Sequence, residues 1–362
     1  MAAKRSSVKI DTTAGSRSYN RLDIQVSQSL HMAIELYDDL NYLLILDHYD
    51  DITIFDMDAD PLVVSYYQMK TSDTTITIDS AIKEDWLAKL HTQLSRPEDW
   101  VVKELGLITN TPLEISYTTN SNGSAGRVKQ NLYAEHTSFT NLNQLVVDKI
   151  RKDISDKCTI PIDQVDLSKF AHLRTTLSID RHRDIVKSEI SEFLNSKYPH
   201  ITFDTIKGIY STLIEILTQK QQYERLPDNS TLDAVQKYKG FSKNDFTRII
   251  DKAIMISIPS FDDVTRYAHA DDDLKYKIAL PYAQILTDTC KQGDQSFIKI
   301  FNTTLEVMEK IPIIANENVY EYGQKIGNII PQDNPSLCII YNVDYIAVLT
   351  ICLLINKSRS SQ

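Results

Sequence analysis

The chain has 362 residues, of which 42% are hydrophobic and 24% charged, and its formal net charge is −10. This composition is that of an ordinary globular protein with a sizeable core, which excludes disorder as the dominant state. The chain has only 9 glycines, and neither a G-x-x-x-x-G-K-[ST] loop nor a G-x-G-x-x-G fingerprint can be written from them, which excludes a P-loop NTPase.

The cysteines and the apolar runs bear on the cellular compartment. The chain has four cysteines without any C-x-x-C spacing, namely Cys158, Cys290, Cys338 and Cys352. This pattern argues against a structural zinc site and a disulfide framework, and fits a reducing cytosol. The N-terminus lacks the apolar segment of a signal peptide. The longest apolar run, Tyr345–Ile355, is shorter than the roughly 20 residues of a membrane span. We therefore expect a cytoplasmic protein.

The N-terminal part of the chain alternates helical and extended patterns. After a polar arm over residues 1–20, apolar residues at helical spacing predict a helix from about Asn20 to Leu40. Further along, we predict strands at Tyr42–Leu46, Asp51–Phe55, Leu62–Lys70 and Leu105–Thr109, a turn at Met57–Pro61, a helix at Ala81–Leu94 and a loop or hairpin tip at Asn120–Gly126. This order is typical of an α/β unit with a mixed sheet.

From Phe139 onward the pattern is mainly helical. Helices are predicted at Leu142–Ile154, Asp184–Leu194, Asp204–Gln219, Lys243–Met255, Leu280–Cys290 and Phe297–Glu309, and linkers at Pro227–Ser230, Ile258–Ser260 and Ile330–Pro335. Ser242 and Asp245 have the spacing of a capping box. We therefore divide the chain into a core over residues 21–200 and a mainly helical C-terminal region over residues 201–362.

The negative charge is concentrated in one short segment. Six acidic residues fall between Asp47 and Asp60, with no basic residue among them. Such a run is either a solvated acidic turn or a carboxylate cluster that binds divalent cations. Charge alone does not distinguish these readings.

One spacing within this region indicates chemistry. Asp51 is followed, after 16 residues, by Gln68-x-Lys70. Gln68 and Lys70 point to the same face of a strand because they are two residues apart. The turn predicted at Met57–Pro61 would fold Asp51 back beside them. A carboxylate, an amide oxygen and an ammonium group would then converge.

Hydrolysis of a phosphodiester bond needs such a set. A carboxylate holds Mg²⁺, which lowers the pKa of a bound water and neutralises developing charge. A lysine orients that water or stabilises the transition state. Gln68 would supply a neutral ligand where a carboxylate is more usual, which gives the neighbouring Asp50 and Asp47 more weight as ligands. A surface lysine beside a strand-edge glutamine is the alternative reading.

These residues, with their surroundings, resemble a known family. The segments that carry the resemblance are Ala14–Asp23, Tyr42–Ile52, Tyr67–Thr71, Ile82–Leu94, Leu107–Pro112 and Gly240–Phe246. They are similar to the double-stranded-DNA endonuclease domain of the Cap-type effectors of bacterial anti-phage systems, which belongs to the PD-(D/E)xK nuclease superfamily. The resemblance covers roughly residues 10–255.

The resemblance implies a PD-(D/E)xK-like nuclease core and a Mg²⁺-dependent endodeoxyribonuclease, in which Mn²⁺ can replace Mg²⁺. The metal-binding acid of the family corresponds to Asp51, and its Q-x-K motif to Gln68 and Lys70. Asp47 stands where the family usually has a glutamate. Asp51, Gln68 and Lys70 are thus the expected catalytic residues, and Asp51, Gln68, Asp50 and Asp47 the expected metal ligands.

The family also suggests partners. One branch carries a large α/β sensor domain for cyclic oligonucleotides, and another pairs with a HerA-like hexameric ATPase. The region after residue 255 is short for the sensor domain and lacks an α/β rhythm, which favours the ATPase branch. A nuclease gated by a cyclic-oligonucleotide messenger at the C-terminal region and a non-catalytic scaffold remain alternatives.

Four arginines and the apolar C-terminal run bear on DNA contacts and self-association. Arg17, Arg21, Arg181 and Arg183 are candidate contacts to DNA phosphates, although a solvent-facing helix start also accounts for the last two. Few basic residues are clustered, so a homo-oligomer or a motor partner would have to increase the affinity for DNA. The apolar run Tyr345–Ile355 is either buried in its own subunit or covered by a neighbouring one.

Overall fold

A computed structural model of the protein describes residues 14–96, 98–121, 124–199, 201–227, 229–290, 295–314, 316–333 and 340–360. These residues form two compact units. The first comprises the described chain up to Phe193 together with Tyr210–Thr247, and the second comprises Leu194–Ile209 and the described chain from Arg248. Among these residues, no helix is both long and apolar enough to cross a bilayer.

The strands in chain order are β1 (Tyr42–Leu46), β2 (Ile52–Asp56), β3 (Val63–Lys70), β4 (Ile76–Thr77), β5 (Val101–Thr109), β6 (Leu113–Ser121), β7 (Ser124–Leu132), β8 (His136–Ser138), β9 (Phe170–Arg174) and β10 (Gly240–Ser242). The helices are α1 (Ala14–Glu35), α2 (Ile78–Lys83), α3 (Trp86–Thr92), α4 (Gln144–Cys158), α5 (His182–Lys197), α6 (Phe203–Gln221), α7 (Leu232–Lys239), α8 (Lys243–Ile256), α9 (Phe261–Tyr267), α10 (Asp272–Cys290), α11 (Gln295–Lys310), α12 (Val319–Asp333) and α13 (Val343–Ser360). This content confirms the predicted α/β class with a helical C-terminal region.

A seven-stranded mixed sheet in the order β10-β1-β2-β3-β5-β9-β8 organises the first unit. β3, β5 and β9 run parallel, and the other neighbouring pairs are antiparallel. Lys70 on β3 is therefore level with Thr109 on β5 and Arg174 on β9. The carboxyl ends of the three parallel strands thus lie together at one edge of the sheet.

The core of this unit lies between the sheet and helices α2, α3 and α4. It includes Phe55, Tyr66 and Leu105 on the strands and Leu90 and Ile150 on the helices. Burying such a side chain contributes roughly 1.5–3 kcal/mol to stability. These contacts make the strands that carry the acidic turn a rigid platform.

One glycine is required by close packing in this sheet. A Cβ atom added at Gly106 on β5 would lie 2.4 Å from the ring of Tyr67 on β3. Tyr67 can therefore lie against β5 only because residue 106 has no side chain.

The hairpin formed by β6 and β7 confirms the tip predicted at Asn120–Gly126, since Ser121 pairs with Ser124 and residues 122–123 lie outside the described part of the chain. β4 adds to β6 to make a separate three-stranded sheet. The predicted capping box is also confirmed. The hydroxyl of Ser242 accepts from the amide of Asp245, whose carboxylate accepts from the amide of Ser242.

Several predicted boundaries were wrong. α1 begins at Ala14 rather than at Asn20, so the end of the polar arm is helical, while residues 1–13 lie outside the described chain. α10 begins at Asp272 rather than at Leu280, with Pro281 in its interior. Proline is favoured in the first turn of a helix, so local propensity does not predict its place in the interior of a longer one.

The linker predicted at Ile330–Pro335 was also wrong over its described part, because α12 continues to Asp333. α12 itself was not predicted, since Gly323 and Gly327 lower its helix propensity. Both glycines are explained by packing. A Cβ atom at Gly323 would lie 2.7 Å from the backbone of Ala347, and one at Gly327 would lie 3.0 Å from the carbonyl oxygen of Val343. Close approach to α13 therefore stabilises this helix.

The second unit is helical and is built around α13. The apolar run Tyr345–Ile355 lies in α13, and most of its side chains are buried with residues of α9 to α12, among them Val264, Ile285, Ile300 and Ile326. Of the two alternatives for this run, the structure shows burial within its own unit.

Candidate active site

The acidic turn, defined here as Asp47–Asp51, connects β1 to β2 and brings the predicted residues together. Ile52 pairs with Tyr67 in the antiparallel register of β2 and β3, so Asp51 lies beside Gln68. The Nζ atom of Lys70 lies 3.7 Å from Oδ2 of Asp51. Asp51, Gln68 and Lys70 therefore converge at the end of β3, as the spacing of the motif predicts.

Asp51 is held by the backbone of β3. Its Oδ2 atom accepts a hydrogen bond of 2.7 Å from the amide of Met69. Burial raises the pKa of Asp51, while Lys70 and the amide of Met69 act in the opposite direction. The carboxylate is thus fixed in direction and kept partly away from water.

Asp50 is the second carboxylate of the site. Its Oδ1 atom accepts from the amide of Asp51 at 2.9 Å, and its Oδ2 atom accepts from Nε2 of Gln93 at 3.3 Å. Burial, followed by the charge of Asp51, raises the pKa of Asp50 to about 7. The two half-buried carboxyl groups are adjacent, and the negative charge of Asp51 disfavours ionisation of Asp50.

Gln68 has a side-chain oxygen that could serve as a metal ligand. Its side chain is buried, and Oε1 has no hydrogen-bond partner among the described residues. Buried polar atoms are rarely left without a partner. No group of three or more His, Cys, Asp or Glu side chains in the described chain is arranged to hold a metal ion. The set here consists instead of two carboxylates and an amide oxygen, which are the oxygen ligands that Mg²⁺ accepts.

Asp47 has a different environment from the other two acids. Its backbone is left-handed, with φ 49°. Its carbonyl oxygen accepts a hydrogen bond of 2.6 Å from Nζ of Lys239, which lies 3.6 Å from its carboxylate. A lysine therefore already neutralises Asp47.

A cavity of about 520 Å³ opens beside Lys70. It is lined by Met69 and Lys70 at the end of β3, by Arg21 and Gln25 of α1, by Trp86, and by several serine and threonine residues. The Nζ atom of Lys70 lies 5.6 Å from the centroid of the Trp86 ring. Arginine, lysine and hydroxyl groups are the side chains that most often contact DNA phosphates.

The other candidate DNA contacts are placed differently. Arg183 forms a bidentate ion pair with Asp23, which gives it a structural role between α5 and α1. Arg181 lies just before α5 and is exposed. Arg17 lies in α1, but its side chain is outside the described part of the structure. Of the three arginines whose side chains the structure describes, Arg21 lines the cavity beside Lys70.

Two polar side chains that contact the acidic turn were not anticipated from the sequence. Gln93 donates to the carbonyl oxygen of Tyr49 at 2.7 Å as well as to Asp50, and Arg96 in turn donates to Oε1 of Gln93 at 2.6 Å. Lys239 contacts Asp47 from a distant part of the chain. Neither residue has a local sequence signal, because each acts through the tertiary fold.

The chain is similar to known proteins over much of its length. The family model described as "Cap4, dsDNA endonuclease domain" matches residues 13–221. Lamassu protein LmuA of Bacillus cereus (strain VD014) is 26% identical over 317 residues, which cover 86% of this chain and 81% of that protein.

Solved structures are more distant. A Cap4 SAVED/CARF-domain containing receptor of Acinetobacter baumannii with the cyclic trinucleotide 2′3′3′-cAAA matches at 13% identity and a TM-score of 0.35, over 64% of this chain and 44% of the receptor. The corresponding receptor of Moraxella osloensis matches at 13% identity and a TM-score of 0.35, over 47% of its length. The chain thus spans less than half the length of these receptors, and a similarity of this size carries no argument about ligands.

The family match covers more than half of the chain and contains the acidic turn and the Q-x-K motif. By this match, the chain belongs to the Cap4 dsDNA endonuclease domain family.

Proposed function

We propose that this protein is a Mg²⁺-dependent endonuclease of bacterial anti-phage defence that hydrolyses phosphodiester bonds of double-stranded DNA. The observation that carries the proposal is the convergence of Asp51, Gln68 and Lys70 at the end of β3, beside an open cavity. Membership of a nuclease family and the similarity to a Lamassu protein support a nuclease effector of this class.

The metal would be held by Asp51, Gln68 and Asp50. When bound, Mg²⁺ or Mn²⁺ supplies Lewis-acid activation of water and neutralises charge on the phosphate. The amide of Met69 orients the carboxylate of Asp51, and the side chain of Gln93 orients the carboxylate of Asp50. Asp47 is a weaker candidate ligand, because its side chain is 51% exposed and its carboxylate lies beside Lys239 rather than Lys70.

Lys70 has the role of positioning the nucleophile and stabilising charge. Its ammonium group is held near Asp51 on one side and near the Trp86 ring on the other. From this position it can donate a hydrogen bond to an attacking water and to a phosphate oxygen that gains charge in the transition state.

The cavity beside Lys70 would receive the DNA strand next to the scissile phosphate. Arg21 and the hydroxyl groups of its wall provide contacts to phosphate oxygens without reading base sequence. The net charge of −10 opposes the approach of DNA, so weak binding by an isolated subunit is expected.

We further propose that a HerA-like hexameric ATPase and self-association provide the additional DNA contacts that a single subunit lacks. The chain contains no P-loop motif, so energy-dependent movement along DNA would have to come from another protein.

Gating by a small anionic messenger is the second candidate. A cavity of about 510 Å³ in the second unit is lined by Arg266, His269 and Arg359, and also by Asp263, which forms ion pairs with both arginines. This volume lies within the usual range of small-molecule sites. Calorimetric titration with cyclic oligonucleotides tests this candidate directly.

A plasmid assay tests the main proposal. Supercoiled plasmid is incubated with the protein in Mg²⁺, Mn²⁺ or EDTA, with and without a HerA-like ATPase encoded beside its gene. Metal-dependent nicking that the ATPase enhances is the expected result. Activity only after a messenger is added would support the second candidate, and inactivity under every condition would support a scaffold.

A further inference from the structure

Lys239 at the end of α7 is a buried lysine with an unusual set of partners. Its side chain is 4% exposed. The ammonium donates to the carbonyl oxygens of Asp47 at 2.6 Å and Gln221 at 3.2 Å. Lysine is rarely buried unless it is paired, because removing its charge from water is costly. Here the compensating groups belong largely to the acidic turn.

The local backbone directs Lys239 at this turn. The pairing of Ile45 with Gly240 on β10 brings the preceding residue close to the end of β1, where the acidic turn begins. Gly240 permits the abrupt change from α7 to β10, since a Cβ atom there would lie 2.5 Å from the carbonyl oxygen of Gln236. The direction of Lys239 is therefore built into the fold.

The acidic turn needs such external support. Asp47 has a left-handed backbone, which is disfavoured for a residue other than glycine. Within the turn, the amide of Asp47 donates to the carbonyl oxygen of Asp51 at 3.2 Å. Gln93 holds Tyr49 and Asp50 from one direction, and Lys239 holds Asp47 from another. The turn is thus fixed at both ends.

We propose that Lys239 is a positioning residue of the candidate active site, which holds the acidic turn so that Asp50 and Asp51 keep the geometry that metal binding requires. Its effect on catalysis rests on the proposed nuclease function. Lys239 lies beyond residues 13–221, which the family model matches.

Two lysine-to-methionine variants of the full chain test the proposal. Lys239→Met keeps the aliphatic volume and removes the donors. Lys220→Met is the matched control, because Lys220 on α6 donates to the carbonyl oxygen of Lys237 on α7 at 2.6 Å. The control thus loses a comparable lysine-to-carbonyl bond that does not reach the turn.

The first readout is independent of nuclease activity. Hydrogen exchange followed by mass spectrometry should show exchange in peptides covering residues 47–51 that is roughly tenfold faster or more in Lys239→Met, with other peptides of the sheet unchanged. Mn²⁺ affinity by calorimetry and the nicking rate at saturating DNA should fall by roughly 10- to 100-fold, as for other residues that orient metal ligands. The KM for DNA should stay within about twofold of the wild-type value. Lys220→Met should behave as the wild type does in every assay.

Unchanged exchange in the acidic turn of Lys239→Met overturns the proposal, and so does faster exchange spread evenly over all peptides, which would assign Lys239 a general role in stability. If Lys239→Met cannot be purified, Lys239→Gln, which retains a neutral N–H donor, takes its place in the same comparison. A wild-type protein that nicks DNA with no metal would contradict the proposed function, whereas the exchange data would still decide whether Lys239 positions the turn.

Discussion

Asp51 and Lys70 lie at the ends of adjacent strands and partly neutralise each other in a place of limited water access. Burial raises the pKa of Asp51, and the lysine opposes this effect. Each side chain is about one quarter exposed or less, at 20% and 25%. Substrate can therefore reach both groups while the sheet keeps their positions fixed.

Lys70→Ala should abolish plasmid nicking and leave the protein folded. The change removes a charge at a strand end and little core volume, so its cost falls on the transition state. We expect a loss of roughly 10²-fold or more in nicking rate, with an unchanged circular dichroism spectrum. Undiminished nicking by this variant would refute the assignment of Lys70.

Asp51→Asn should also lose activity, and for a different reason. The substitution keeps the size of the side chain and removes the negative charge that attracts the cation. Calorimetry should show weaker binding of Mg²⁺ and Mn²⁺. Unchanged metal affinity would transfer the ligand role to Asp50 or Asp47.

Arg21→Ala should weaken DNA binding without changing metal binding. The loss of one phosphate contact should reduce the slope of log affinity against log salt by about 0.9. Fluorescence anisotropy on the Lys70→Ala background, without divalent metal, measures this slope. Lys103→Ala is the matched control, because Lys103 is exposed near the other end of β5. Equal slopes for the two variants would show that Arg21 makes no special contact.

At the scale of elements, polar contacts tie α1 to α5. Nδ1 and Nε2 of His31 lie 2.8 Å from Glu189 and 3.4 Å from Glu35, respectively. Burial lowers the pKa of His31, but the hydrogen bond from His31 to Glu189 and the nearby carboxylates outweigh this effect, so the pKa is raised above 6.5. Folding therefore favours the imidazolium form relative to the unfolded chain.

This raised pKa makes stability depend on pH. The contribution of His31 should be fully present below about pH 6.5, where the unfolded state is also protonated, and should be lost as pH rises through the higher folded pKa. This pH dependence can be checked by measuring the thermal melting points of the wild type and Glu189→Gln from about pH 5 to about pH 9, a range centred on neutrality. The gap between them should narrow at high pH, and a gap that widens with pH would contradict the ion pair.

At the scale of the whole molecule, self-association is still predicted, but from a different surface. The apolar run of α13 is covered within its own unit, so it supplies no interface. The second unit nevertheless exposes large apolar side chains on α10, where Tyr276 is 85% and Leu280 is 78% exposed. Exposed apolar clusters often mark sites of association.

Light scattering should therefore give a mass above the 41.4 kDa of one chain. Leu280→Glu should lower that mass, because an interface does not readily bury an unpaired charge. Co-elution with a HerA-like ATPase provides the second measurement. A monomer that does not co-elute would leave the assembly without support.

The sequence by itself determined the local elements and the identity of the central residues. Short apolar runs predicted β1, β2, β3 and β5, because such a run is a property of neighbouring residues. The spacing of Gln68 and Lys70 predicted a shared face, and the turn after β2 predicted that Asp51 returns beside them. These inferences are local, since each depends on only a few tens of residues of chain.

Only the tertiary structure decided the environment of these residues. Lys239 reaches Asp47 across a sequence separation that no local pattern encodes. Arg183, which the sequence offered to DNA, is paired with Asp23 of α1. The glycines of α12 lower its helix propensity, yet they allow the close approach to α13 that stabilises it. In each case the deciding energy comes from a contact between distant segments, which exists only once the chain is folded.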